Sequence, residues 1–410
     1  MIGELEVYDS STGRDVFVGT LFSMLRRGVL STTFVYDPSY LSDASSYAID
    51  PQLPLSISPI HFSGLPGALR DSLPDRWGRH LIERELRLSH VGEGAIRKLD
   101  DIDYLAGVFD SAREGSLRVK IQGGSFLSES DAIPPSLDLP NLMDAARAAS
   151  RDSAGLQQIK ELLEAGSASL GGARPKASVR EDRRLLLAKF SHPGDDWDVM
   201  GWEKTVLDLG EKAGIPVPRS QLVRIGGHSA LLLERFDRDK SLFEGRRIPY
   251  ISGMTLLASE DGEMRDYAEL AEAITDLSDT PTEQLEQLFR RVMFYVAINN
   301  TDDHMRNWGF LRRGAWSLSP MFDVNPNPDI DVCRATSIIG AVKGDVAENL
   351  RELAAYCSLD DAAVRRVAGD VISSVNGWEK AARSNGVRDT EIRAFEGAFT
   401  SGLDVLSGFQ

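Results

Sequence analysis

The chain has 410 residues, with 46 Lys and Arg against 62 Asp and Glu, for a formal net charge of −16 at pH 7. That length suggests two or three domains with ample core, and 42% hydrophobic with 26% charged residues excludes wholesale disorder, collagen and coiled coil. The acidic balance argues against direct binding to a phosphate backbone. Two cysteines, Cys333 and Cys357, cannot build a disulfide framework. Six scattered histidines, with no HExxH, argue against a zinc enzyme. No apolar run approaches the ~18 residues needed to span a bilayer. Met1–Glu6 has no basic stretch leading into an apolar one, so the expectation is a cytoplasmic protein that does not meet a membrane.

Two strands are expected at 5–8 and 15–21 around the turn Asp9–Gly13, and a third at 32–36. Leu73-Pro74-Asp75-Arg76-Trp77-Gly78-Arg79 opens a helix that continues through Leu88. A linker-like stretch spans Gly123–Pro135, and helices follow from Asn141 and around Leu156–Leu163. A Gly- and Ser-rich segment, 166–176, precedes the apolar strand Arg184–Phe190. The helix Val199–Ala213 should end at Gly214, a residue suited to the C-cap. Strands are expected at 221–225 and 230–233. In the helix-rich second half, Leu285, Leu288, Phe289, Val292, Met293 and Val296 lie at spacings of 3, 1, 3, 1 and 3, one apolar stripe on a helix over about 282–299 capped by Thr282. A hairpin is expected at 308–318.

Four features carry chemistry. Glycines in 166–176 would let backbone N–H groups reach a phosphate, with Lys176 adding charge, although the pattern is neither GxGxxG nor a Walker loop. Lys189 emerges from Leu185-Leu186-Leu187-Ala188, where an ammonium needs an anionic partner such as nucleotide phosphates; Glu203 is the candidate helix glutamate beside it. Asp302 and Asn307 have the D-x-x-x-x-N separation of kinase catalytic loops, a base for the substrate hydroxyl and a metal-binding amide. Asp323, in Met321-Phe322-Asp323, follows the hairpin where a kinase carries its second metal-binding Asp, here after the aromatic. The order in which these features fall suits a two-lobed kinase with its hinge at Leu231–Arg238.

On these residues the sequence resembles the HipA family of bacterial serine/threonine protein kinases, the toxin halves of HipBA-type modules. Leu73–Gly78 is similar to that family's LPDxWG segment, Ser169–Lys176 to its phosphate loop, Leu187–Phe190 to its lysine strand and Leu233–Arg238 to its hinge. Thr301-Asp302-x-His304-x-x-Asn307 and Phe322-Asp323 are similar to its catalytic and metal-binding segments. The resemblance implies ATP and Mg²⁺ as cofactors. It makes Asp302 the catalytic base, and Asn307 and Asp323 the Mg²⁺ ligands. It makes Lys189 the partner of the α and β phosphates. Nucleotide binding would also involve Ser169, Gly171, Gly172, Ala173, Arg174, Pro175 and Lys176, the hinge residues Glu234, Arg235 and Phe236, and His304 and Phe322. Ser169 would be the autophosphorylated residue, with Ser167 a second or competing site; the added charge would fall where ATP phosphates sit. A HipB-like DNA-binding antitoxin is the implied partner, DNA being reached only through it, and an aminoacyl-tRNA synthetase is among the implied protein substrates. Asp303 and Arg306 depart from many family members, which have Gly and Lys there. Both are expected on the surface of the catalytic loop, where they could alter substrate choice, and Asp303 is the alternative base.

The expected fold is α+β: a two-lobed protein-kinase-like chain with a strand-rich N-terminal part and an all-helical C-terminal lobe. Expected domains are 1–122, a HipA-type N-terminal subdomain; 123–240, a kinase N-lobe; and 241–410, the C-lobe. The alternatives are a catalytically weak kinase-fold scaffold for an antitoxin–DNA complex, and a small-molecule kinase.

Overall fold

The computed structural model describes residues 3–90, 98–127, 133–168, 174–182, 184–239, 246–340 and 345–410. The chain forms two compact units: Met1–Gly194 with Leu232–Ile251, and Asp195–Leu231 with Ser252–Gln410. The expected boundary at 122 falls inside the first unit, and the chain returns to that unit after Leu231.

The first unit opens with three antiparallel strands, β1 (Glu4–Asp9), β2 (Val16–Arg26) and β3 (Val29–Tyr36). β2 and β3 run longer than expected and meet at a two-residue tip. Arg27 and Gly28 there have φ of 53° and 81°, the left-handed pair that a tight hairpin requires. Helix α1 (Pro38–Ser42), strand β4 (Ile60–Ser63), helices α2 (Gly67–Arg70), α3 (Arg76–Ser89) and α4 (Asp101–Ala106), and strand β5 (Leu117–Ile121) follow. The five strands form one sheet in the order β4-β3-β2-β1-β5. Leu5 and Val7, Gly19 and Leu21, and Phe34 and Tyr36 are buried at period two, the pattern of a sheet with one covered face, and Val18 is the extra residue where the β1–β2 register shifts. Gly19 permits the close β2–β3 approach, since a Cβ there would lie 2.3 Å from the Val35 carbonyl oxygen. Helices α5 (Leu139–Ser150) and α6 (Leu156–Glu164) lead to the hairpin β6 (Lys176–Glu181) and β7 (Arg184–Phe190). The sequence pattern assigns no strand to β6, whose first residue, Lys176, closes the Gly- and Ser-rich segment.

The second unit begins with α7 (Val199–Lys212), capped by Asp198 and closed by Gly214 with φ +76°. β8 (Ser220–Ile225) and β9 (His228–Glu234) follow, and β9 carries the chain into the first unit; β10 (Tyr250–Ser252) brings it back. Helices α8 (Gly253–Leu256), α9 (Tyr267–Leu277) and α10 (Pro281–Ala297) precede strands β11 (Gly309–Arg313) and β12 (Ala315–Leu318). Helices α11 (Val346–Tyr356), α12 (Asp361–Val375), α13 (Trp378–Ser384) and α14 (Asp389–Ser407) complete it. The unit is therefore helical apart from a few strands, not all-helical. α10 is its axis. It starts at Pro281, preceded by Thr280, so Thr282 lies inside the helix and is not its cap. Beyond its expected stripe, Arg290 and Arg291 are buried as well. Arg290 donates to Asp370 at 2.7 Å and to the Ala213 carbonyl at 2.9 Å, and Arg291 donates to the Ser319 carbonyl at 2.6 Å. α14 packs against α10 at Gly402, where a Cβ would meet the Val296 oxygen at 2.4 Å. Trp202 of α7 stacks on Phe395 of α14 with ring centroids 4.1 Å apart, and Trp378 of α13 on Phe399 at 4.3 Å.

Candidate active site

The second unit holds the candidate catalytic-loop residues, 300–307. α10 ends where Asn299 turns left-handed, with φ 50°, and Asn300 N–H returns to the Tyr295 carbonyl at 2.9 Å. The loop then alternates outward and inward. The Asp302 side chain is 83% exposed, whereas Asp303 is 1% exposed. Asn307 donates its amide nitrogen to the Asp302 carbonyl at 2.9 Å. That bond holds the loop to its own start and leaves the amide oxygen as the atom suited to a cation. His304 Nε2 lies 3.6 Å from Asp302 Oδ1, and its Nδ1 is buried without a hydrogen-bond partner among the described residues.

Asp303 is spent on the fold. Its Oδ2 accepts from the Tyr267 hydroxyl at 2.6 Å, and its Oδ1 accepts from Thr336 N–H at 3.1 Å. Burial pushes its carboxyl above the ordinary value, and Arg334, the Tyr267 hydroxyl and the Thr336 amide only partly offset this. The expected surface position for Asp303 is thus corrected. It is not available to the substrate in this arrangement, and neither is Arg306 wholly exposed, since it pairs with Asp261 at 2.5 Å.

Asp323 is left-handed, with φ 55°, a conformation that a non-glycine residue adopts at a cost and that clusters at functional sites. Phe322 beside it is half-buried, and Met321 N–H donates to the Pro216 carbonyl at 2.8 Å. The buried Tyr295 hydroxyl feels the charge of both this segment and the loop. Burial pushes its pKa up, Arg291 opposes that, and the charges of both Asp303 and Asp323 add to the rise. Among the described residues no three His, Cys, Asp or Glu side chains gather as a metal cluster. An amide oxygen and a carboxylate, as Asn307 and Asp323 offer, are hard-oxygen donors of the kind Mg²⁺ takes when phosphates complete its shell.

The first unit holds the candidate phosphate-binding residues. Antiparallel pairing sets Lys176 of β6 opposite Lys189 of β7, so both side chains leave the same face of the hairpin. They are 2% and 7% exposed. Lys176 forms an ion pair with Asp75, the residue that caps α3 by accepting from Gly78 N–H at 2.7 Å. This is a connection the sequence reading missed. Gly78 itself abuts the turn that follows α6: a Cβ there would lie 2.7 Å from Ala168 Cα. Ser167 is fully buried, its N–H bonded to the Leu162 carbonyl at 3.0 Å and its hydroxyl without a partner among the described residues. Arg174 is half-buried, and Pro175 is buried with its carbonyl accepting from Phe190 N–H at 2.9 Å. Ser169, Gly171, Gly172 and Ala173 lie outside the described residues.

In the expected hinge, Arg235 N–H donates to the Leu185 carbonyl at 3.0 Å. The Arg235 guanidinium is buried and grips Asp237 through two bonds, 2.7 and 2.5 Å, and donates to the Ala112 carbonyl at 3.0 Å. Its side chain is therefore occupied in this arrangement. Glu234 pairs with Arg184 at 3.3 Å, and Phe236 lies with its ring centroid 6.4 Å from that of Tyr250. On α7, in the second unit, Glu203 is buried. Among the described residues no helix is long and apolar enough to cross a membrane.

Residues 168–378 match the HipA-like C-terminal domain, and residues 13–108 the HipA N-terminal domain. A putative kinase from Haemophilus influenzae is 24% identical over 144 residues, a stretch covering 31% of this chain and 42% of that protein. The fold is similar to that of a HipA, HipB and operator DNA complex of the Shewanella oneidensis MR-1 toxin–antitoxin system, with TM-score 0.69 and 15% identity over 98% of this chain and 97% of that one.

Proposed function

Since the chain belongs to the HipA family of two-lobed α+β kinases, we propose that it is an ATP-dependent serine/threonine protein kinase acting as the toxin of a toxin–antitoxin pair. The single observation that carries this reading is the division of labour in the loop after α10. Asp302 is exposed, its neighbour Asp303 is buried, and Asn307 clasps the Asp302 main chain. A carboxylate held in that way can accept the proton of a substrate hydroxyl while the oxygen attacks the γ-phosphorus. Lys189 would hold the α and β phosphates, and the main chain of 234–236 the adenine. Asn307 and Asp323 would hold Mg²⁺, whose role is to bridge the phosphates and offset their charge. Positioning of this kind supplies most of the rate in phosphoryl transfer, because little covalent chemistry is asked of the protein.

The hydroxyl belongs to a protein serine or threonine, with an aminoacyl-tRNA synthetase among the candidates, and to Ser169 of the chain itself. Ser167 is the poorer acceptor, because its hydroxyl is enclosed and would have to leave its pocket first. The partner is a HipB-like antitoxin, as in the Shewanella complex. The test is transfer of labelled phosphate from ATP in Mg²⁺, with sites mapped by mass spectrometry. The wild type should label itself at Ser169. Asp302→Ala should abolish transfer and leave the melting temperature unchanged, because that side chain contributes almost no packing. Full transfer by Asp302→Ala would overturn the assignment. Transfer confined to a small metabolite would turn the reading to a small-molecule kinase.

A further inference from the structure

Four residues from two separate stretches of the second unit, Tyr267 and 334–336, converge on the catalytic loop, and Tyr267 and Thr336 are buried. Tyr267, the first residue of α9, is fully buried, and its hydroxyl donates to Asp303 Oδ2 at 2.6 Å. Thr336 is buried and holds Asp303 twice. Its N–H donates to Oδ1 at 3.1 Å, and its hydroxyl donates to the Asp303 carbonyl at 2.7 Å. Arg334 Nη1 donates to the Asn300 carbonyl at 2.7 Å and lies 3.9 Å from Asp303 Oδ2. Ala335 N–H donates to the Thr301 carbonyl at 2.9 Å, so 334–336 run beside 300–303 as a strap. The strap is fastened in turn to the start of α9: Ser337 N–H donates to the Arg265 carbonyl at 3.0 Å and Tyr267 N–H to the Ser337 carbonyl at 3.2 Å.

We infer that Asp303 is a positioning residue: a buried carboxylate that ties the catalytic loop to the strap 334–337 and to α9, and so fixes the direction in which Asp302 leaves the chain. Adjacent residues of an extended segment point to opposite sides. Burying the Asp303 side chain therefore turns the Asp302 side chain outward. The strap needs a negative group beneath Arg334, and the loop provides it covalently. In kinases whose activation loop is ordered by phosphorylation, an arginine pairs with an added phosphate; here the Asp303 side chain, 3.9 Å from Arg334, ties the loop to its strap with no modification.

This inference rests on the assignment of Asp302 as the base, and the experiment separates the two. Phosphoryl transfer and amide hydrogen exchange are measured on the full chain for wild type, Tyr267→Phe, Asp303→Asn and Asp302→Ala. Tyr267→Phe removes one hydroxyl and keeps the ring in place, which guards against simple unfolding. Tyr267→Phe and Asp303→Asn should lower kcat by about tenfold or more, because sub-ångström misplacement of a reacting group is costly, while the KM for ATP stays within about twofold. Exchange should quicken at 300–307 and 334–337 and stay slow in α12 and α14. Unchanged kcat and unchanged exchange in both variants would overturn the inference, as would a loss of protection spread over the whole unit, which marks a role in stability alone. If the wild type transfers no phosphate, the kinase reading fails, and the exchange pattern by itself still decides whether Asp303 fixes the loop.

Discussion

Arg235 and Asp237 lie two residues apart in the expected adenine hinge, and the carboxylate serves more than its own pair. It accepts from Arg235, from Arg238 at 2.7 Å and from Gly115 N–H at 2.8 Å, all in the interior of the first unit. Burial alone would push the Asp237 carboxyl up, but the two guanidiniums more than reverse this and hold it well below the usual carboxylate range. A folded pKa below the unfolded one means that the group stabilises the fold fully above about pH 4, the ordinary value, and that this contribution drains away as pH falls toward the folded value. Asp237→Ala would strand two buried guanidiniums, a change that costs about 3–5 kcal/mol. Urea unfolding at pH 7 should show a deficit of that order, and the gap between variant and wild type should narrow below pH 4. A gap equal at pH 3 and pH 7 would refute the account. None of this was legible in the sequence, where Arg235 was read only for its place in a hinge; nor was the burial of Asp303, whose partners stand 36 and 33 residues away at Tyr267 and Thr336. A carboxylate next to another carboxylate looks the same in a sequence whether it faces water or a tyrosine hydroxyl. The identity and spacing of Asp302 and Asn307, by contrast, are local properties, and they were readable directly.

Elements that bury one face are legible in type, and their ends are less so: the expected α7 and α10 run one and two residues past the observed helices, and the expected strands stop short. β2 and β3 extend past the expected spans because their outer residues, Met24 and Val29 among them, are exposed and do not alternate with the core. β6 was missed because it begins Lys176-Ala177-Ser178, and both Lys176 and Ser178 are buried; polar residues in a covered strand read as loop. The junction this strand makes with α3 sets a prediction. Like charges directly opposite in a hairpin repel, and Asp75 offsets the charge of Lys176 beside Lys189 while it caps α3. Asp75→Asn should therefore disturb nucleotide affinity more than turnover, raising the KM for ATP several-fold with kcat changed by less than half. A pure kcat effect would place Asp75 outside the nucleotide site. Gly78→Ala acts on the same junction by overpacking, because the new methyl meets Ala168 main chain at 2.7 Å. A cost of about 1–3 kcal/mol in unfolding free energy is expected, together with the same rise in KM. Thermal melts and initial rates over a range of ATP concentrations measure both.

At the scale of the whole molecule, the two-lobed class was legible because a strand-rich half precedes a helix-rich one. The path of the chain between the units was not. Residues 232–251 return to the first unit because the arginines they carry have their partners there. Arg238 donates to the Arg113 carbonyl at 2.7 Å, and Arg247 donates to the Asp110 carbonyl at 2.8 Å. Such long-range ion networks leave no periodic trace in a sequence. The net charge of −16 is legible, and it bears on how this chain would take part in an antitoxin–DNA assembly. Binding that rests on phosphate contacts weakens with salt in proportion to the number of phosphates neutralised, with a slope of roughly −0.9 per contact in a logarithmic plot. A chain this acidic should add none. Alone, it should not retard operator-length DNA at physiological salt. Added to its antitoxin on DNA, it should leave the salt slope where the antitoxin sets it, even if the assembly becomes tighter through protein–protein contacts. Titrations of labelled DNA at four salt concentrations, with antitoxin alone and with both proteins, measure the two slopes. An increase in steepness of about one or more on adding this chain would mean that it places a basic side chain on the phosphate backbone. The tip of the β2–β3 hairpin, with Arg26 and Arg27, would then be the first place to substitute.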